Sequence, residues 1–171
     1  MTSSSLGQGL SVALGMALGA RQAQKSFHVY CLLSDGETQE GMVWEAAMAA
    51  SHYGVGNLTA IVDRNNLQVD GRVSEVMGIE PYTEKWRAFG WDALELDGHD
   101  LSSLLVAFDE GRRPRSRPMV MICHTVKGKG VSFMENVMEW HAITDEVYAR
   151  SSGELKQTLI TLSARARYGG V

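Results

Sequence analysis

Asp35 and Asn65 are the two side chains whose type and spacing best fit shared chemistry. Each follows an apolar run: YCLLS precedes Asp35-Gly36, and LTAIV precedes Asp63-Arg64-Asn65. About thirty residues separate them, the span of one strand-helix-strand crossover. Two adjacent parallel strands would then deliver a carboxylate and a carboxamide to neighbouring points at one sheet edge. Both are hard oxygen donors of the kind Mg²⁺ or Ca²⁺ requires, and no His or Cys lies beside them to suggest zinc. Two protein oxygens suit a Mg²⁺ whose shell is completed by phosphate and water. Gly36 and the start of the following helix would turn backbone N–H groups toward those phosphates. A plain Asp-Gly turn is the simpler alternative, but it leaves the placement of Asn65 unexplained.

The elements needed to position this pair are legible. Residues 6–25 read as a helix in which Gly15, Ala17, Gly19 and Ala20 allow close packing, and 27–33 as a buried strand. Residues 39–53 form an alanine- and methionine-rich helix, with Met42 and Met48 as packing residues. Strands follow at 58–63, 91–96 and 118–126, with helices at 82–89 and 101–110. A last helix runs from Asp145 through Arg167 with a charged face. Strands alternating with helices, the strands nearly continuous in apolar residues, predict an α/β fold on a parallel sheet flanked by helices. Ligands of such sheets gather at the carboxyl ends of the strands, where Asp35 and Asn65 both fall.

With 171 residues, 44% of them hydrophobic, the chain can bury one sizeable core, and residues 1–171 read as a single domain. A net charge of −4 without a basic block argues against a nucleic-acid surface. No apolar run approaches a membrane span, and the start, MTSSSLGQGL, lacks the regions of a signal peptide. Cys31 and Cys123 lie in apolar strands and read as buried thiols of a reducing, cytoplasmic setting.

Four segments in order, SLGQGL (5–10), DGETQEGMVWEA (35–46), NNLQVDG (65–71) and TVKGKGVSFMENVMEWH (125–141), resemble the transketolase family of thiamine-diphosphate enzymes. Ser34 stands where the family usually has glycine. The resemblance implies a thiamine-diphosphate-binding fold and a set of site residues. Asp35, Asn65 and the backbone carbonyl of Leu67 would hold Mg²⁺ (or Ca²⁺), and through it the cofactor diphosphate. Gly36 and His141 would contact the diphosphate, while Leu6 and Val69, apolar core on any reading, would pack on the cofactor rings. Glu40 and Glu45 would join a carboxylate network at a subunit interface. With His141, they make up the candidate catalytic group.

The resemblance covers only the later part of the family's cofactor-diphosphate domain, so the start reads as truncated. Helix 145–167 and the tail YGGV look like the end of the N-terminal subunit of a split transketolase. The implied function is transfer of a two-carbon ketol unit between sugar phosphates. It requires a C-terminal transketolase subunit carrying the pyrimidine domain, in a homo- or hetero-oligomer. That domain would bring the glutamate that activates the cofactor and most sugar-phosphate contacts, so the chain alone is expected to be inactive. Two other readings remain. One is a related thiamine enzyme component, of the deoxyxylulose-phosphate synthase or 2-oxo acid dehydrogenase type, against which ETQEGMVWEA and KGKGVSFME count. The other is an inactive fragment that only binds a partner, which the intact Asp35, Gly36 and Asn65 oppose.

Overall fold

The computed structural model describes residues 4–168. The first three residues and the Gly-Gly-Val end of the YGGV tail lie outside the described residues. Four parallel strands form the sheet: β1 (Val29–Ser34), β2 (Leu58–Arg64), β5 (Asp92–Asp97) and β6 (Met119–His124), in the order β1-β2-β6-β5. Parallel neighbours need helical crossovers. These are α2 (Gly41–His52) between β1 and β2, α4 (Tyr82–Ala88) on the way to β5, and α5 (Leu101–Gly111) before β6. Helix α1 (Gln8–Gln22) precedes β1, and α6 (Asp145–Tyr168) closes the described chain. Every strand and long helix expected from the sequence is present. No helix among the described residues is long and apolar enough to cross a membrane.

Strand position explains the burial patterns. Met119–Cys123 of the inner strand β6 are buried on both faces, whereas the edge strand β1 alternates, burying Val29, Cys31 and Leu33 and exposing Tyr30, Leu32 and Ser34. On one face, Leu10, Ala17, Val43, Ala47 and Ala50 pack with Val62, Val120, Tyr82 and Trp86. On the other, Ala107 of α5 packs on Met119, Met121 and Cys123. The far side of β1 pairs with no strand among the described residues, and Leu32 is 71% exposed there. A groove of about 530 Å³ runs along that edge, lined by Val12, Met16, Phe27, Tyr30 and Leu32 among others.

Two packing expectations are corrected. Gly15 and Gly19 face open space rather than a close helix contact; the inward small residues of α1 are Ala13, Ala17 and Ala20. Helix α2 turns Ala46, Ala47 and Ala50 into the core and exposes Met42, Glu45, Met48 (59% exposed) and His52. Its methionines are therefore surface residues. Val43 shares that core face with the alanines, and their small side chains let α2 pack close against α1.

The segment after β2 holds structure that the sequence pattern does not signal. Leu67–Gln68 (β3) and Gly71–Arg72 (β4) form a small antiparallel hairpin, followed by the short helix α3 (Val73–Val76). Two-residue strands carry no period to detect.

Candidate functional site

The site starts from sheet register. Ser34 of β1 lies opposite Asp63 of β2, so both strands deliver their next residues to the same edge. The Asp35 N–H donates to the Asp63 carbonyl at 3.2 Å, which fixes the first residue past β1. Its carboxylate turns inward and is 2% exposed. Oδ1 accepts from Gly36 N–H at 2.8 Å, and Oδ2 accepts from Asn66 N–H at 2.6 Å. Asn66 adopts a left-handed conformation (φ 59°), which asparagine tolerates better than most residues. Asn65, the next residue back, accepts from Leu67 N–H through Oδ1 at 3.0 Å, so its carboxamide is braced over the turn.

Burial pushes the Asp35 carboxyl above its ordinary range. The Asn66 and Gly36 N–H groups oppose that shift, the neighbouring Asp63 adds to it, and Arg64 counters it. A buried carboxylate beside another acid is a place where a cation would be welcome.

A buried polar chain supports the turn from behind. Residues Gly36–Gln39 form a single 3₁₀ turn. Thr38 is buried; its hydroxyl donates to the Asp35 carbonyl at 2.6 Å and accepts from the Tyr82 hydroxyl at 3.1 Å. The Trp44 indole donates to the Thr38 carbonyl at 2.9 Å. Burial pushes the Tyr82 phenol up to about 12, so it stays a donor throughout the physiological range. On the outer side, Gln39 Nε2 donates to Gln68 Oε1 at 2.7 Å, tying the turn to the hairpin. Sequence reasoning missed Thr38, Gln39 and Tyr82, because the Tyr82–Thr38 and Gln39–Gln68 bonds span 44 and 29 residues and leave no local pattern.

The expected residues sort unequally. Asp35, Gly36, Asn65 and Leu67 are brought together at one edge. The 138–141 turn carrying His141 packs against β3, bringing this histidine's segment to the hairpin; His141 itself is exposed. Leu6 and Val69 are not core: they are 57% and 63% exposed, since both sit on turns beyond the ends of packed elements. Glu40, also exposed, is the N-cap residue of α2 and lies against Gly7, where an added Cβ would come 2.7 Å from the Glu40 Cβ. Glu45 is one turn along on the exposed face of α2. The small residues beside the two glutamates are thus a core face, not an outward helix-packing surface. Gly36 lies between the Asp35 carboxylate and the hairpin. Its N–H donates to Asp35 Oδ1, and a Cβ there would lie 3.2 Å from Gln68 Cβ, so a side chain would crowd the hairpin.

The donor set fits a divalent cation shared with a phosphate ligand. A carboxylate and a carboxamide oxygen stand on adjoining loops, each with a lone pair beyond its bond to a backbone N–H. No cluster of three or more His, Cys, Asp or Glu able to complete a metal shell occurs among the described residues. The ligand itself would have to supply the remaining oxygens. The cysteines take no part: both are free and buried, and burial pushes each thiol up to about 11.

Comparison with known proteins decides the family. Residues 1–151 match the family model described as the transketolase, thiamine diphosphate binding domain. The chain belongs to the transketolase family. It is 42% identical over 156 residues to one of the subunits of the apulose-4-phosphate transketolase of Phocaeicola vulgatus, covering 90% of this chain and 56% of that protein. It is 38% identical over 159 residues to the 6-deoxy-6-sulfo-D-fructose transketolase subunit SqwG of a Clostridium species, covering 92% and 58%. The chain thus spans about half the length of the curated relatives it matches. The transketolase crystal structure from Campylobacter jejuni superposes with a TM-score of 0.80 at 28% identity, covering 88% of this chain and 25% of that one. The parallel sheet flanked by helices is therefore the transketolase cofactor-domain fold.

Proposed function

We propose that this transketolase-family chain is the diphosphate-binding component of an enzyme that moves a two-carbon ketol unit between sugar phosphates. Asp35, Asn65 and the Leu67 carbonyl hold Mg²⁺ (or Ca²⁺), and Gly36 and His141 face the diphosphate. Leu6 and Val69, exposed on their turns, lie against the cofactor rings. Glu40 and Glu45, at the foot and on the outer face of α2, meet a partner's groups at an interface. When bound, thiamine diphosphate supplies the nucleophilic carbon that cleaves and re-forms the ketose carbon–carbon bond. This chain's residues anchor and orient its charged end. A C-terminal subunit carrying the pyrimidine domain completes the site, and the chain by itself does not turn over.

The observation that carries this reading is the bond from Asn66 N–H to Asp35 Oδ2. It brings the two predicted ligand loops within one residue of each other at the carboxyl end of the sheet. Relatives named as transketolase subunits support the need for a second polypeptide. Titration calorimetry of the chain with a pyrimidine-domain subunit tests it. Thiamine diphosphate binds in Mg²⁺ and its affinity collapses in EDTA; equal affinity in both refutes the metal assignment.

A further inference from the structure

Glu37 has a role in the geometry that the family's metal and cofactor residues do not fill. Its backbone N–H donates to Ser34 Oγ at 3.2 Å, and its Oε2 accepts from Ser34 N–H at the same distance. This is the reciprocal arrangement of a capping box, Ser-x-x-Glu, here closing a 3₁₀ turn. A capping box leaves the second carboxylate oxygen unassigned. In this chain Oε1 reaches out of the turn and accepts from Gly7 N–H at 3.0 Å, thirty residues upstream.

Gly7 is the pivot of the SLGQG turn. It is the N-cap residue of α1, stands at φ 81°, and as a glycine offers its helix no side-chain cap. Gly7 itself meets the Asp-Gly turn at two points, the Glu37 carboxylate on its N–H and the Glu40 side chain beside its Cα. A single half-buried side chain thus binds two turns at once, the one bearing Leu6 and the one bearing Asp35.

We propose that Glu37 is a positioning residue that clips the Leu6–Gly7 turn to the Asp35–Gly36 turn, setting the distance between the ring-contacting and metal-holding ends of the cofactor site. The proposal rests on the functional reading above. The carboxylate acts through two backbone N–H groups, those of Ser34 and Gly7. Its two oxygens are matched to those donors, and an amide cannot serve both, because its NH₂ would face one N–H.

Glu37→Gln and Ser34→Ala separate positioning from simple stabilisation. Ser34→Ala removes the hydroxyl that receives Glu37 N–H but leaves both carboxylate bonds in place. Two readouts are taken on the full chain with a pyrimidine-domain subunit: thiamine diphosphate affinity in Mg²⁺ by calorimetry, and hydrogen exchange of the Gly7 amide against core amides of β2. Glu37→Gln is expected to weaken affinity about tenfold and speed Gly7 exchange about tenfold, with β2 exchange unchanged. Ser34→Ala is expected to hold affinity within about twofold. Wild-type affinity in Glu37→Gln overturns the proposal, as does unchanged Gly7 exchange. So does an equal loss of affinity in both variants, the mark of a purely structural cap. Failure of the wild-type chain to bind thiamine diphosphate strikes the functional reading instead, and Gly7 exchange in Glu37→Gln then still decides whether the clip exists.

Discussion

Replacing Asp35 with asparagine separates the two things its carboxylate does. The amide keeps the shape and one carbonyl oxygen, so one of the two backbone donors, Gly36 N–H or Asn66 N–H, keeps its acceptor while the other faces an NH₂. Losing one charge-assisted bond costs about 1.5–3 kcal/mol, and removing a buried charge returns part of that. A net loss of about 1–2 kcal/mol lowers the midpoint of thermal unfolding by roughly 2–8 °C in a chain of this size. The second effect is linkage. At roughly a hundredfold excess over Kd, Mg²⁺–thiamine diphosphate stabilises a binding-competent protein by about 2.7 kcal/mol. Asp35→Asn should abolish that increment, because the variant lacks the charged donor of the proposed metal site. Glu45→Ala removes no ligand of the proposed metal site, so it should keep more of that increment than Asp35→Asn, its own loss falling on the contact with the partner subunit. The assay is thermal or urea unfolding of wild type and both variants, with a pyrimidine-domain subunit, with and without Mg²⁺ and cofactor. A full ligand-dependent increment in Asp35→Asn refutes the metal assignment. A drop in unliganded stability far below the predicted range refutes the bookkeeping of the two N–H bonds.

His28 Nε2 lies 2.8 Å from Thr59 Oγ1, and burial, with Arg115 and Arg112 nearby, holds the imidazole below its ordinary 6.5. The unfolded chain therefore takes up a proton first, and stability falls as pH drops below 6.5. Urea midpoints of wild type and His28→Gln across that range should converge toward acid, and a constant difference refutes the linkage. The open edge of β1 exposes Tyr30 and Leu32 along a groove that Val12, Met16 and Phe27 also line, an apolar surface suited to self-association. Sedimentation of the purified chain should show concentration-dependent self-association relieved by a pyrimidine-domain subunit; a stable monomer at high concentration contradicts this.

The amino-acid sequence by itself determined the architecture and the sheet edge at which the candidate residues meet. Apolar runs report strands and helices residue by residue, because burial of each element is a local demand on its own side chains. Sheet parallelism follows from the alternation of strand and helix, and the carboxyl edge follows from parallelism. So Asp35 and Asn65 could be placed together before any coordinates; the segments from SLGQGL to EWH announced the family, and that resemblance added Leu67. What only the tertiary structure decided depends on contacts between distant residues. Which face of α2 is inward is set by its packing with α1 in one core cluster, so Val43 and the alanines are core and Met42, Glu45 and Met48 face outward. Leu6 and Val69 look like core to any hydrophobicity argument, yet turns at the sheet edge leave them exposed. The Asp35 clasp, the Tyr82–Thr38 support and the Glu37 clip to Gly7 join residues about thirty to forty-four apart. A hydrogen bond of that kind is fixed by the direction in which each group points after folding, and residue type and spacing carry no record of direction.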